Sequence, residues 1–297
     1  MKTIKTLFRT FAVMAIMALT TNMAHAEFRD NIVRIAVREG SIPFSYKVDG
    51  HYQGLAVDIC MKVFAKLQEQ NPALTYEFVG VNSNTRIPFL LEHKADMECG
   101  STTNSAERRK TVAFSITYFY SSITGAVRAD SGINTIEDVP VSSTLIYTQG
   151  TTTAKSMAQP ALTFFYIRSN ANVNKTLIGK DHLQSFDLLA TKKGDIFFND
   201  DVLLLGLINA SPNPQNYRLI DNKFSVEPYG IMTRKEDTAL QATINTVMID
   251  MMKSGEFKKD YDKWFMLPIA PSNKALNIPM SAMLKDVVRF PAPVTGN

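Results

Sequence analysis

This sequence of 297 residues predicts an α/β protein made of two similar lobes, each with an open and mainly parallel sheet. The first observation is that β-rich runs alternate with runs of helical periodicity, which is typical of parallel sheets. The second observation is that this alternation occurs twice along the chain. The third is a shared spacing: 18 residues separate Ser83 from Ser101, and 18 separate His182 from Asp200.

The first lobe begins with the β-rich run Ile32–Val37. The next run places Leu55, Ile59, Val63 and Leu67 at four-residue steps, which lines one face of a helix. A strand–helix–strand–helix–strand order is completed by a strand over residues 74–79, a helix over 86–93 and a strand over 96–99.

The second lobe repeats the same order of elements. Gly150 is expected to form a turn after its first strand, and Gly194 is expected to end its second helix. The predicted elements are a strand over residues 144–147, a helix from 152 to about 159, a strand over 164–167, a helix over 182–192 and a strand over 195–198.

The chain is then predicted to return to the first lobe. Crossings near Tyr120 and near Val226 would form a two-strand hinge between the lobes. From Pro268 onward the sequence has little periodicity, so this tail is expected to wrap the surface. The returning part contains a strand over 229–233, a helix over 238–253 that ends at Gly255, and a short helix with Tyr261, Trp264 and Phe265.

The first 26 residues have the pattern of a cleavable secretory signal peptide. Three basic residues precede an apolar run over residues 11–19, and Ala24 and Ala26 provide the small residues of a cleavage site. The alternative, a transmembrane anchor, is disfavoured because spanning a bilayer takes about 20 apolar residues. The mature protein is therefore expected in the periplasm. The expected divisions are residues 1–26 for the leader, 27–120 and 228–267 for the first lobe, 121–227 for the second lobe and 268–297 for the tail.

The charge of the chain gives no indication of a nucleic-acid partner. The whole chain has 32 Lys and Arg residues against 28 Asp and Glu residues, and three of the basic residues belong to the leader. No basic run or basic-aromatic stripe occurs in the remainder, which is nearly neutral.

The two cysteines, Cys60 and Cys99, leave two interpretations open. They are either two small buried apolar residues or, in an oxidising compartment, a disulfide. A zinc site needs more ligands than two cysteines and scattered histidines provide. No metal and no cofactor is predicted.

The segment over residues 98–108 has a layout that can hold a carboxylate. Short hydroxyl side chains follow Gly100, and Arg108 lies seven residues after Ser101. Backbone N–H groups and hydroxyls supply hydrogen bonds, while a guanidinium supplies a two-pronged charged contact. No nucleophile with an adjacent base is evident, so the segment indicates binding of a small anion.

Polar residues also follow the other predicted strands. Ligands bind at the carboxyl ends of the strands in open α/β sheets, so these residues are expected to face one another across the hinge. The set comprises Arg38, Ser83, Arg86, Ser101, Thr103, Arg108, Thr151, His182 and Asp200.

Several segments of the chain resemble the periplasmic amino-acid-binding proteins of ABC importers (solute-binding protein family 3), most closely the glutamate/aspartate-binding branch. The resemblance covers essentially the whole mature chain and implies the two-lobed periplasmic binding protein fold. The segments that carry it are residues 38–46 (Arg-Glu-Gly-Ser-Ile-Pro-Phe-Ser-Tyr), 84–88 (Asn-Thr-Arg-Ile-Pro), 98–108, 149–152 (Gln-Gly-Thr-Thr), 180–182 (Lys-Asp-His), 200–201 (Asp-Asp) and 262–265 (Asp-Lys-Trp-Phe).

The resemblance implies a role for each residue of the set. Arg108 would grip the α-carboxylate of the ligand, and Asp200 would take its α-ammonium group. Ser101, Thr103 and Thr151 would assist Arg108 with hydrogen bonds. The side-chain carboxylate would be recognised by Arg38, Ser83, Arg86 and His182.

Elementary electrostatics supports the same ligand class. An amino-acid dianion with one ammonium group needs more positive than negative partners, and three arginines against Asp200 provide them. His182 would add a charge that adjusts near neutral pH. The residues flanking His182 and Asp200 vary from the pattern, which leaves the choice between aspartate and glutamate open.

The expected function is thus capture of L-glutamate or L-aspartate by a monomer that delivers it to an inner-membrane ABC permease. Two alternatives remain. One is an enzyme on the same fold, resembling cyclohexadienyl dehydratase, in which Glu98 or His182 would act as acid or base. The other is a sensory component that presents the ligand to a receptor.

Overall fold

The computed structural model describes residues 26–140, 142–157 and 175–293. The leader, apart from its last residue, and the strand predicted over 164–167 lie outside the described residues. Within those ranges no helix combines the length and apolar character that crossing a membrane requires.

Strands and short helices alternate along most of the chain. In chain order the strands are β1 Ile32–Val37, β2 Gly40–Ser41, β3 Ser45–Val48, β4 His51–Gln53, β5 Thr75–Gly80, β6 Met97–Cys99, β7 Val112–Phe114, β8 Phe119–Ser121, β9 Ile123–Arg128, β10 Leu145–Thr148, β11 Thr176–Gly179, β12 Ile196–Asp200, β13 Tyr217–Leu219, β14 Glu227–Tyr229 and β15 Met232–Arg234. The helices are α1 Leu55–Gln70, α2 Arg86–Leu91, α3 Ala106–Arg109, α4 Thr152–Met157, α5 His182–Ala190, α6 Asp201–Ala210, α7 Thr238–Ser254, α8 Glu256–Phe265 and α9 Ala282–Arg289.

The first lobe contains a five-stranded sheet in the order β5-β1-β6-β15-β7. The three predicted strands β1, β5 and β6 pair in parallel, as expected for β-α-β connections. Two further strands, β15 and β7, extend the sheet with antiparallel pairings. The short strand β7 was not predicted from the sequence.

The second lobe has the same architecture, in the order β11-β10-β12-β9-β13. Strand β10 pairs in parallel with β11 and with β12, while β9 and β13 add antiparallel pairings. Thr176–Gly179, which pairs with β10, was not predicted from the sequence. The α/β fold with two lobes is confirmed, with antiparallel strands added beside each parallel core.

Two antiparallel strands connect the lobes. Strand β8 leads from the first lobe to the second, β14 leads back, and Tyr120 lies opposite Pro228. The single strand predicted over 229–233 is therefore wrong: β14 pairs with β8, whereas β15 belongs to the sheet of the first lobe. The break at Gly230 and Ile231 lets the chain pass from one sheet to the other.

The largest core lies between the first sheet and helices α1, α7 and α8. Leu55, Ile59, Val63 and Leu67 are all buried there, which confirms the periodicity of α1. Helix α7 ends as predicted at Gly255, whose φ of 80° is left-handed and suits glycine.

The tail after Pro268 contains a helix that its weak periodicity did not predict. Helix α9 begins after Ser281, whose hydroxyl accepts a hydrogen bond from the Leu284 N–H at 3.2 Å. Leu284 is buried in the core of the first lobe, and Val287 and Val288 pack against that core. The i, i+3, i+4 spacing of these three side chains is too short a signal to predict a helix.

Cys60 and Cys99 form a disulfide, which settles the two interpretations left open by the sequence. The bond joins the buried face of α1 to the carboxyl end of β6. Strand β6 leads directly into residues 100–108, so the disulfide anchors the base of the segment predicted to bind an anion.

Removal of this disulfide is predicted to destabilise the protein by about 4 kcal/mol, the entropic value for a cross-link of this loop length. The two cysteines are 39 residues apart. The measurement is equilibrium urea unfolding of the Cys60→Ala, Cys99→Ala double variant beside the wild type. A reductant should lower the free energy of unfolding of the wild type and leave the variant unchanged. Equal stability of the two proteins would contradict the prediction.

Candidate functional site

Three arginines from the first lobe converge in the space between the two sheets. Arg38 follows β1, Arg86 begins α2 and Arg108 lies on α3, and none is more than 8% exposed. Burial and mutual repulsion lower the pKa of Arg38 to about 10 and that of Arg108 to about 9. All three guanidinium groups therefore stay charged at neutral pH and require anionic or carbonyl partners.

A buried carboxylate lies beneath two of these arginines. Glu98 on β6 is fully buried, and one of its oxygens is 4.0 Å from Nη1 of Arg38. Its other oxygen accepts a hydrogen bond from the Thr102 hydroxyl at 2.8 Å, and that hydroxyl accepts one from Arg86 at 2.6 Å. Ser83 accepts a bond from Nη2 of Arg38 at 2.7 Å. Glu98 is thus the counter-ion of this arginine pair.

The second lobe contributes a backbone carbonyl to the same cluster. Arg86 and Arg108 both donate to the Gly150 carbonyl, at 3.4 Å and 3.2 Å. Arg108 also donates to the Thr103 carbonyl at 2.9 Å. A neutral carbonyl shared by two cations adds no compensating negative charge.

Several buried polar atoms beside these arginines have no hydrogen-bond partner among the described residues. They are Nη1 of Arg38, Nε of Arg86, the hydroxyl of Ser101 and one acceptor, Oε1 of Glu98. Buried polar atoms without partners are rare in proteins because each costs free energy. The three donors among them, on or beside buried cations, indicate that the site suits hydrogen-bond acceptors such as carboxylate oxygens.

The negative side of the site is Asp200, at the end of β12 in the second lobe. Its carboxylate accepts a hydrogen bond from the Tyr229 hydroxyl. Burial, with the nearby Glu227 carboxylate, raises the pKa of Asp200 to about 7, although the Tyr229 bond and Arg108 oppose the rise. A cation next to Asp200 would favour its ionised form.

His182 begins α5 and is buried beside the first-lobe arginines. Burial, together with Arg38 and Arg86, holds its pKa well below the usual range. The pKa is lowered because the imidazole has lost its water and faces two cations. The expectation that its charge adjusts near neutral pH when a ligand is bound stays a prediction.

Thr151 has its hydroxyl occupied by local bonds. The hydroxyl donates to the Thr148 carbonyl at 2.7 Å and accepts from the Ala154 N–H at 3.0 Å, an N-terminal cap of α4. Its carbonyl accepts from the Lys155 N–H at 3.3 Å, within the first turn of α4. No group of His, Cys, Asp and Glu suited to a metal ion occurs in the described ranges.

The lobes touch through their backbones at Gly150. This residue has a φ of 73°, and a Cβ atom built on it would lie 2.6 Å from the carbonyl carbon of Ser83. Only glycine permits both the left-handed conformation and this approach. The arginine contacts with the Gly150 carbonyl depend on that approach.

The fold and the site agree with what comparison with known proteins shows. The family described as bacterial extracellular solute-binding proteins, family 3, matches residues 33–267. The chain belongs to this family. The matched residues include every member of the predicted site and leave out the tail over 268–297.

Two amino-acid-binding proteins and one solved structure are similar to this chain over most of its length. An L-glutamate/L-aspartate-binding protein of Pseudomonas aeruginosa is 32% identical over 264 residues, which cover 87% of this chain and 85% of that protein. A glutamate/aspartate import solute-binding protein of Escherichia coli K12 is 31% identical over 269 residues, covering 89% and 86%. An ancestral arginine-binding protein, solved with bound glutamine, has a TM-score of 0.69 at 26% identity, covering 80% of this chain and 99% of that one.

The structure thus brings the three arginines, Ser83, His182 and Asp200 close together, and it adds other contacts. Sequence reasoning did not identify Glu98 as a counter-ion, nor Thr102, Tyr229 and Gly150 as contacts. The signal for Glu98 is a carboxylate within a buried strand run, which requires a nearby cation. Nothing in the sequence around Tyr229 indicates that its hydroxyl reaches Asp200, which lies 29 residues away.

Substitution of Gly150 by alanine is predicted to keep the lobes apart. The added methyl group collides with the Ser83 backbone, so the radius of gyration from X-ray scattering should exceed that of the wild type under conditions that close the lobes. Gly132→Ala is the matched control, because Gly132 has a φ of 76° but no atom within 4 Å of its built Cβ. Equal compactness of the two variants would contradict the role of Gly150.

Proposed function

We propose that this protein captures L-glutamate or L-aspartate between its lobes in the periplasm and delivers it to an inner-membrane ABC permease. The observation that carries the proposal is the cluster of three buried arginines facing Asp200 across the two lobes. A dicarboxylic amino acid supplies two carboxylates for the arginines and one ammonium for Asp200. The names of the relatives from Pseudomonas aeruginosa and Escherichia coli support this ligand class.

The proposed pose follows the two ends of the ligand. Arg108, with Ser101, Thr103 and Thr151, holds the α-carboxylate, and Asp200 holds the α-ammonium group. Ser101 offers its unpartnered hydroxyl, whereas Thr103 and Thr151 contribute beside it mainly through their backbones. The side-chain carboxylate lies against Arg38, Ser83, Arg86 and His182.

Binding and lobe closure are coupled in this proposal. Only the closed arrangement brings Asp200 and Gly150 of the second lobe to the arginines of the first. We place the lobes at residues 27–120 with 228–267 and at 121–227, after a leader over 1–26 is removed, with the tail over 268–297. The protein acts as a monomer.

We favour a protein that binds its ligand without catalysing a reaction. Glu98, one of the two groups that an enzyme on this fold would use, accepts a hydrogen bond from Thr102 and lies 4.0 Å from Arg38. These contacts give it a structural role as a counter-ion of the buried arginines. A sensory role would use the same pocket, and loss of uptake in a deletion strain separates transport from sensing.

Calorimetric titration of the common amino acids against refolded, ligand-free protein tests the proposal. L-glutamate or L-aspartate should bind at least about tenfold more tightly than glutamine and asparagine, because an amide leaves a buried arginine without an anion. Equal affinity for glutamate and glutamine would remove the basis for assigning Arg38 and Arg86 to the side-chain carboxylate.

Two arginine variants, measured by the same titration, test which arginine binds which carboxylate of the ligand. Arg108→Ala should weaken the binding of every amino acid by about 2–5 kcal/mol. Arg86→Ala should weaken the binding of dicarboxylic ligands most. Arg109→Ala is the matched control, since Arg109 lies on the same helix and bonds to Asn104 outside the cluster. Normal glutamate binding by Arg108→Ala would show that the pocket is assigned wrongly.

The affinity for glutamate is predicted to fall as the pH is lowered from 8 to 6. The pKa of Asp200 without ligand is about 7, and only the ionised carboxylate pairs with the ligand ammonium group. Binding should therefore release protons near pH 6 to 7, seen by calorimetry in two buffers of different ionisation enthalpy. In Tyr229→Phe the bond that lowers this pKa is lost, so the fall should begin at higher pH. Proton uptake on binding would give the opposite sign and refute the assignment.

A further inference from the structure

The nitrogen Nδ1 of His182 points away from the arginines and into the second lobe. It lies 3.0 Å from Nδ2 of Asn199 and 3.2 Å from the hydroxyl of Thr148. All three side chains are buried. Nε2, the other ring nitrogen, has no hydrogen bond within the described ranges, and the ring lines a cavity of about 370 Å³ between the lobes.

The hydrogens around Nδ1 can be assigned by following the donors. The Ser185 hydroxyl has two carbonyls in reach, those of Asp181 at 2.9 Å and Tyr147 at 3.2 Å, so its hydrogen goes to a carbonyl. The Thr148 hydroxyl, 2.7 Å from Ser185, then donates to Ser185. The remaining donor at Nδ1 is the Asn199 amide nitrogen, which carries two hydrogens and no lone pair.

The charges around the ring favour a neutral imidazole. Arg38 and Arg86 face it from the first lobe, and Lys180, Asp181 and Glu39 line the same cavity. Burial, together with the charges of Arg38 and Arg86, holds the pKa of His182 well below the usual range. A neutral ring whose Nδ1 accepts a hydrogen bond must carry its hydrogen on Nε2.

We propose that Asn199 is a positioning residue that fixes this tautomer of His182 and thereby sets selectivity for a carboxylate over an amide. The inference rests on the proposed function, in which His182 faces the ligand side chain. With hydrogen on Nε2, that end of the pocket contains donors from Arg38, Arg86 and His182. A carboxylate accepts from all of them, whereas the NH₂ group of glutamine would meet another donor.

The opposite tautomer would change the chemistry of the pocket. Hydrogen on Nδ1 would leave a lone pair on Nε2, which would accept a hydrogen bond from the NH₂ group of glutamine. Asn199 therefore acts at a distance from the ligand, through the ring. The identity of a buried residue behind the site determines which group the site accepts.

Nitrogen-15 NMR of the ligand-free protein at pH 7 tests the tautomer directly. Nε2 of His182 should be protonated and Nδ1 should not, with His182→Gln used to assign the signals. In Asn199→Leu the only partner left at Nδ1 is the Thr148 oxygen, so Nδ1 should become protonated. Asn199→Asp, which cannot donate, should have the same effect. Asn216→Asp is the control, because Asn216 is exposed on the same lobe.

Titration with glutamate and glutamine tests the consequence. The ratio of the two affinities should fall at least tenfold in Asn199→Leu and stay unchanged in Asn216→Asp. A wild-type ring with hydrogen on Nδ1, or an Asn199→Leu ring with hydrogen still on Nε2, overturns the proposal without reference to any ligand. If the tautomer switches in Asn199→Leu but the affinity ratio stays unchanged, the proposal that the tautomer sets selectivity is overturned. An Nε2–H ring in a protein that binds no glutamate would support the tautomer and refute the proposed function.

Discussion

The burial of three guanidinium groups in one place is the constraint on which most of this site depends. A buried charge is costly unless it is paired and hydrogen-bonded. Each partner in the structure meets that requirement in part: Glu98 beneath Arg38, Thr102 beside Arg86, and the Gly150 carbonyl shared by Arg86 and Arg108. The partners come from both lobes. Contact between the lobes is therefore part of what stabilises the buried charges.

The fold meets this constraint by placing strand ends at a common edge. The disulfide fixes the end of β6, from which Glu98 and residues 100–108 extend. Helix α6 belongs to the second lobe by sequence, yet Val202 and Leu203 lie in the core of the first. Gly206 packs so closely against Ile42 that a Cβ atom would be 2.4 Å from its carbonyl oxygen. Contacts away from the ligand site thus contribute to holding the lobes together.

The sequence was a good guide wherever apolar periodicity is the main determinant. Strand Ile32–Val37 and helices α1 and α7 were predicted almost to the residue, because their buried faces repeat along the chain. The antiparallel strands β7, β9 and β13 were missed, since pairing with a distant strand leaves no local pattern.

The residues of the site likewise fall into those that the sequence predicted and those that it did not. Polar residues at strand ends could be found from the sequence, and the structure brings Arg38, Arg86, Arg108 and Asp200 into one charged network. Side chains that act across the fold could not be found. Asn199 reaches His182 over 17 residues, and Tyr229 reaches Asp200 from the strand that joins the lobes. Such contacts are set by the packing of sheets, which depends on the whole chain.

The close approach at Gly150 also has a kinetic consequence. With backbone against backbone and the three clustered arginines almost fully buried, a molecule bound against them would be largely shielded from solvent while the lobes stay together. Its dwell time would then be set by how often the lobes separate, and not by the strength of any single contact. A protein that hands its cargo to a partner would need that partner to open it, because waiting for spontaneous escape would be slower than delivery.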